Sequence, residues 1–154
     1  MGYRKILTIG DETLRKVSRP VTSFDTRLCR LLDDMVQTMY EAEGVGLAAP
    51  QVGILRRAIV IDAGQGLVEL VNPVITDKSG VVGMTEGCLS VPGRQGFVVR
   101  PENVTVEAFD RKGNLIKING DGLLARVLCH EIDHLDGTLY IDKMEYEVTD
   151  KEEG

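Results

Sequence analysis

The sequence contains two histidines, four residues apart at His130 and His134, with Glu131 directly after the first. On an α-helix an i, i+4 pair lies on one face, one turn apart, so both imidazoles can reach a single metal ion. Glu131 falls about 100° around the helix from His130. It therefore flanks such an ion, where it can handle a proton on a bound water. Two ligands leave the site incomplete, because catalytic zinc-type centres show three protein ligands and one open position. The third must come from elsewhere in the chain. The competing view is bland: HExxH strings arise by chance, and a helical histidine more often caps or packs.

The helix that must carry these residues begins after Asp121, a residue type suited to an N-cap. Leu124, Leu128, Ile132 and Leu135 share one arc and read as the core side. Leu123, Val127, His130, Glu131 and His134 share the next, so the histidines open onto a partly apolar wall. Arg126 lies about 100° behind Val127 and reads as solvated, with a rim contact as the alternative.

Upstream, residues 11–17 read as a short first helix stopped by Pro20. Thr22 and Asp25 offer caps for a second, whose apolar positions Leu28, Leu31, Leu32, Met35 and Met39 recur at helical spacing up to Gly44. Cys29 on that helix reads as a packed thiol. Residues 44–53, GVGLAAPQVG, read as a small-residue loop without regular structure, open to close approach by a ligand or another backbone. The stretch lacks the GxGxxG spacing and the Walker lysine, which argues against a phosphate loop. Strands are predicted at 58–61, at 67–71 with Asn72-Pro73 as punctuation, at 81–82, at 97–100 and at 104–109. A hairpin turn at 111–114 leads to another at 115–118. The expected class is α+β, with mainly antiparallel sheets packed around the C-terminal HExxH helix and helices at the N-terminus.

At 154 residues one domain over 1–154 is expected, with 43% hydrophobic and 27% charged residues, ordinary for a globular chain. The net charge of −6 argues against nucleic-acid binding as the main function, without excluding a local basic patch. Three cysteines at unrelated spacings make no disulfide framework and suit a reducing cytoplasm. No signal peptide is read at the start, and the apolar runs are too short to span a bilayer.

Cys88 stands in Thr85-Glu86-Gly87-Cys88-Leu89-Ser90-Val91-Pro92, in a loop or bulged strand. A thiolate there could complete a Cys–His–His site with a vacant fourth position, although a core cysteine is the commoner finding. Glu86 could pair with Arg100 and fix the loop, or remain a solvated charge. From the wheel, a substrate pocket beside the metal arc would be walled by Leu123 and Val127, with Val45 and Met84 as opposite walls. Four apolar residues of this kind would make an irregular apolar slot.

Together GVGLAAPQVG, EGCLSVP and HEIDHLDG, in that order, resemble the three signature motifs of the peptide deformylases. The resemblance runs from the first helix to about Ile141. It implies removal of the N-formyl group from the initiator methionine of newly made polypeptides. It also implies that Cys88, His130 and His134 bind the metal, with Glu131 as catalytic acid/base. By the same resemblance Gln51 and the Leu89 N–H hold the oxyanion, and Gly46 contacts substrate through its backbone. The implied ion is Fe(II), with Zn(II), Ni(II) or Co(II) as substitutes. Two features depart from the pattern. Cys129 stands where a glutamine commonly precedes the first histidine. The tail after Ile141 is acidic (Glu145, Glu147, Asp150, Glu152, Glu153), whereas some members dock on the ribosome through a basic helix there.

Two rivals are weaker. An HExxH zinc peptidase would need a further His or Glu ligand downstream, and no third histidine exists. A closed structural metal site would need a fourth ligand and leaves Glu131 and Gln51 unexplained.

Overall fold

The structure is a computed structural model and describes residues 2–149. Its strands are β1 (Gly46–Ala48), β2 (Ala58–Ile61), β3 (Val68–Ser79), β4 (Val82–Cys88), β5 (Val91–Arg100), β6 (Asn103–Phe109), β7 (Leu115–Asp121) and β8 (Tyr146–Val148). The helices are α1 (Thr26–Glu41) and α2 (Gly122–Leu135). An antiparallel five-stranded sheet runs β1-β2-β3-β6-β7, and a three-stranded one runs β4-β5-β8. The α+β expectation therefore holds. Among the described residues no helix is long and apolar enough to cross a membrane.

The larger sheet is covered on both faces, which explains its least polar strand. Along β2, Ile59 and Ile61 turn toward α2, where they pack with Leu128, Ile132 and Leu135. Ala58 and Val60 turn the other way, toward Leu28, Leu32, Met35 and Met39 of α1. A strand buried on both faces must be apolar at every position, and this one is. The core arc read for α2 is the one that packs on the sheet.

Four local expectations are corrected. Residues 44–53 are not irregular: β1 pairs with β2 in the register Gly46↔Ile61, and Ala49–Val52 forms a 3₁₀ turn. Only Glu12–Arg15 of the predicted first helix forms, as a 3₁₀ turn capped by Asp11. The Asn72-Pro73 pair does not end its strand. A register shift between Val71 and Val74 absorbs the proline, and Asn72, at φ 52°, holds both the N–H and the C=O of Val21 with its side-chain amide. Asp121 precedes α2 without making a side-chain cap. Beyond Ile141, Glu147 on β8 pairs with Arg94, while Asp150, Glu152 and Glu153 lie outside the described residues.

The end of α2 is fixed by the last residue of its motif. Gly137 sits at φ 77° and donates to the His134 carbonyl, while Arg57 reaches the Leu135 carbonyl and the Asp136 carboxylate. A Cβ at Gly137 would meet the backbone oxygen of Arg15 at 2.4 Å. The left-handed conformation alone costs a non-glycine residue about 1–2 kcal/mol. Gly137→Ala should therefore lower stability in urea unfolding by about 2 kcal/mol or more. A wild-type midpoint would contradict this reading of the helix end.

Candidate metal centre

The three predicted ligands converge. Cys88 Sγ and a ring nitrogen each from His130 and His134 all lie within 4.8 Å of one another. The thiol arrives at the end of β4, where the β4–β5 register shifts between Glu86 and Cys88. The histidines arrive from successive turns of α2, their rings 5.0 Å apart. Cys88 Sγ is 3.4 Å from His134 Nε2 and 3.4 Å from the Ser90 backbone N–H.

His130 is held from behind. Its Nδ1 is 2.9 Å from Glu86 Oε1, and an ionised carboxylate only accepts, so Nδ1 carries a proton and Nε2 is the nitrogen left to bind an ion, giving up its own proton to do so. Glu86 is gripped on both oxygens by Arg100 and on Oε2 by Arg126, all of them buried. Burial alone would raise the Glu86 pKa. Hydrogen bonds from His130 and Arg100 outweigh it and leave the group ionised, with a pKa of about 2. Arg100 also binds Asp133 on α2, so two sheet strands and the helix meet on one network.

Arg126 corrects an expectation. It is not solvated: it is 3% exposed and donates to the carbonyls of Val98 and Val82 as well as to Glu86. The three-stranded sheet covers the side of α2 that the wheel left open to water.

Burial opposes a proton on either imidazole. At His130 the partners Cys88 and Glu86 outweigh it and raise the pKa to about 10. At His134 burial and the neighbouring His130 hold it well below its ordinary value. Glu131 is 4% exposed, and burial pushes its pKa up to about 7. Among the described residues its Oε1 has no partner, and neither has His134 Nδ1. A thiolate and two imidazoles are a donor set for a divalent transition ion, and an unpartnered buried carboxylate beside them wants a cation or a water. The residues fit such an ion.

Cys88, His130 and Glu131 line a cleft of about 400 Å³, whose walls include Val45, Gly46, Leu89, Leu123 and Val127. Met84 is not among its lining residues; on β4 the wall begins at Thr85. Gly46 explains part of the GVGLAAP motif: a Cβ there would meet Glu131 Oε2 at 2.6 Å and Val127 Cγ1 at 2.9 Å. Only glycine lets β1 pass this close to α2. Gln51 is 1% exposed and oriented at both ends. Its Oε1 accepts the Ala48 N–H at 2.9 Å, and its Nε2 donates to Ser90 Oγ at 3.0 Å with Cys88 Sγ at 3.6 Å. Ser90, Asp133 and Tyr140, whose ring stacks on His130 at 6.0 Å, went unread in the sequence. Ser90 and Asp133 lie inside the quoted motifs and so left a signal; Tyr140 left none.

Fold and centre together define a metal-dependent hydrolase with an HExxH helix. Residues 3–149 match the polypeptide deformylase family. The chain is 58% identical to the peptide deformylase of Caldicellulosiruptor bescii over 99% of its own length and 92% of that protein's. It superposes on the peptide deformylase of Legionella pneumophila with a TM-score of 0.90 at 50% identity, covering 93% of this chain and 86% of the other. It superposes on that of Synechococcus elongatus, solved with actinonin, with a TM-score of 0.88 at 43% identity, covering 91% and 78%. The chain belongs to the polypeptide deformylase family, metal-dependent enzymes that remove the N-formyl group from nascent polypeptides.

The network around Glu86 can be tested without any assay of activity. Removing one partner of a buried ion pair leaves uncompensated charge and costs about 3–5 kcal/mol. Glu86→Ala takes a carboxylate from both Arg100 and Arg126, leaving Arg100 with Asp133 and Arg126 with carbonyls alone, so its loss in denaturant unfolding should fall in that range. A loss of about 1 kcal/mol, the ordinary size for a point substitution, would show that the arginines find other partners.

Proposed function

We propose that Cys88, His130 and His134 hold the ion and that Glu131 moves the protons of deformylation. An ion so held supplies Lewis acidity and makes water nucleophilic near neutral pH. Glu131 accepts a proton from the attacking water and returns it to the departing amine nitrogen as the formyl C–N bond breaks. The products are formate and a free N-terminus. Gln51 Nε2 and the Leu89 N–H are neutral donors for the oxyanion of the tetrahedral intermediate, and neither would quench the nucleophile. The Gly46 backbone contacts the substrate chain, and Val45, Leu123 and Val127 border the slot for the methionine side chain. The observation that carries this reading is the buried Glu131 carboxylate, unpartnered beside a convergent Cys–His–His set.

The substrate in this reading is the N-formylmethionyl end of a nascent polypeptide, met in the cytoplasm at the ribosome, by one catalytic unit spanning the chain. Fe(II) is the ion, with Zn(II), Ni(II) and Co(II) as substitutes. Thiolate–imidazole ligation accepts all four, and the choice of iron follows the family resemblance.

Glu131→Gln should keep its bound ion and lose activity on formyl-Met peptides by about 10²–10⁴-fold. A metal-replete variant of near-normal turnover would remove the proton role. Activity should be highest with Fe(II), Ni(II) or Co(II), and the Fe(II) form should decay in air. A zinc form equally active and stable in air would contradict the assignment of iron.

A further inference from the structure

Among the described residues every arginine reaches a carboxylate except four, and those four line one face. Arg19, Arg27 and Arg56 line a groove of about 550 Å³ between the segment before α1 and the turn that follows Gln51. Arg30, again with Arg27 and Arg56, lines the depression beside it. Arg19, Arg27 and Arg30 are exposed and Arg56 is half-buried. Asp25 is the one carboxylate of the larger groove, and it accepts the Leu28 N–H as the cap of α1.

Stability does not account for this placement. Arg19 and Arg56 are held opposite each other by a backbone bridge, an arrangement in which like charges repel. Arg27 stands in the first turn of α1, where the helix dipole disfavours a cation. The chain carries a net charge of −6, so this face is a local reversal of sign.

We infer that this groove docks the phosphodiester backbone of RNA. Guanidinium groups present forked donors that match phosphate oxygens. The surface is concave, and its apolar lining is the half-buried Ile54 and Leu55 with one exposed proline, Pro20, too little to wedge into a bilayer. No aromatic side chain lines it, so bases find no stacking platform and recognition is by backbone, without sequence preference. The choice of RNA among polyanions rests on the nascent-chain reading above, since such chains emerge from an RNA-rich particle. The groove shares no lining residue with the catalytic cleft, so both can be occupied together.

Fluorescence anisotropy of the metal-loaded enzyme with a labelled single-stranded RNA of mixed sequence, across a salt series, tests the inference. Turnover of a free formyl-Met peptide is read on the same samples. The wild type should bind with a log–log salt slope of about −0.7 for each phosphate neutralised, near −3 for four. Arg27→Glu/Arg30→Glu should bind about tenfold more weakly or worse, with a shallower slope and unchanged turnover. The milder Arg19→Gln should shift both in the same direction, and Lys78→Glu, exposed at the far end of β3, should match the wild type. Equal binding by wild type and double variant, no binding at low salt, or capture by phosphatidylglycerol vesicles with none by RNA would each overturn the inference. RNA binding that the double variant loses would support the groove even if the wild type proved inactive on formyl peptides, an outcome that would instead sink the deformylase reading.

Discussion

The structure depends on one buried carboxylate. Glu86 lies away from water and takes hydrogen bonds from Arg100, Arg126 and His130, groups carried by β5 and α2. A lone charge at such depth is very costly, so its partners have to stay where they are. The charges also balance. Glu86 and Asp133 offset Arg100 and Arg126, so the network keeps its balance when His130 Nε2 gives up its proton to a bound ion. A divalent ion would in turn be offset by the Cys88 thiolate and the Glu131 carboxylate. The centre and the join between the smaller sheet and the helix are thus one electrostatic arrangement.

The remaining elements bring the other walls to this arrangement. The five-stranded sheet presses α2 from one side through Ile59, Ile61 and Leu70, while α1 closes the opposite face of the same sheet. β1 sits on the sheet's edge, and Gly46 lets it run against Glu131 and Val127. Directly after β1, the 3₁₀ turn begins that carries Gln51 to Cys88 and Ser90. Three chain segments far apart in sequence therefore meet with few adjustable joints, which suits a site that must hold donors and acceptors in fixed geometry.

Much of this was legible because it is local. The i, i+4 histidines, the apolar arc of α2 and the alternation in β6 each follow from the period of one element. What escaped the sequence is tertiary. A helical wheel gives the angle of Arg126 relative to its own helix, but not that β4 and β5 would cover it. Asn72-Pro73 looks like an ending until the Asn72 amide is seen to bond Val21, 51 residues away. β1 reads as loop because its order comes from pairing with β2 and not from its own propensities. The mutual pairing of Glu86, Arg100, Arg126 and Asp133 could be anticipated only in part, as a possible Glu86–Arg100 pair.

If Glu86 is what makes His130 a ligand, weakening its charge should be felt in metal binding before anything else. Competition titration with a chromophoric chelator would compare the affinity of wild type and Glu86→Gln for Ni(II) or Zn(II), with circular dichroism confirming that both are folded. The account predicts an affinity lower by about 10–100-fold, the range found when a carboxylate behind a ligating histidine is altered. A folded Glu86→Gln protein that binds the ion as tightly as wild type would contradict it.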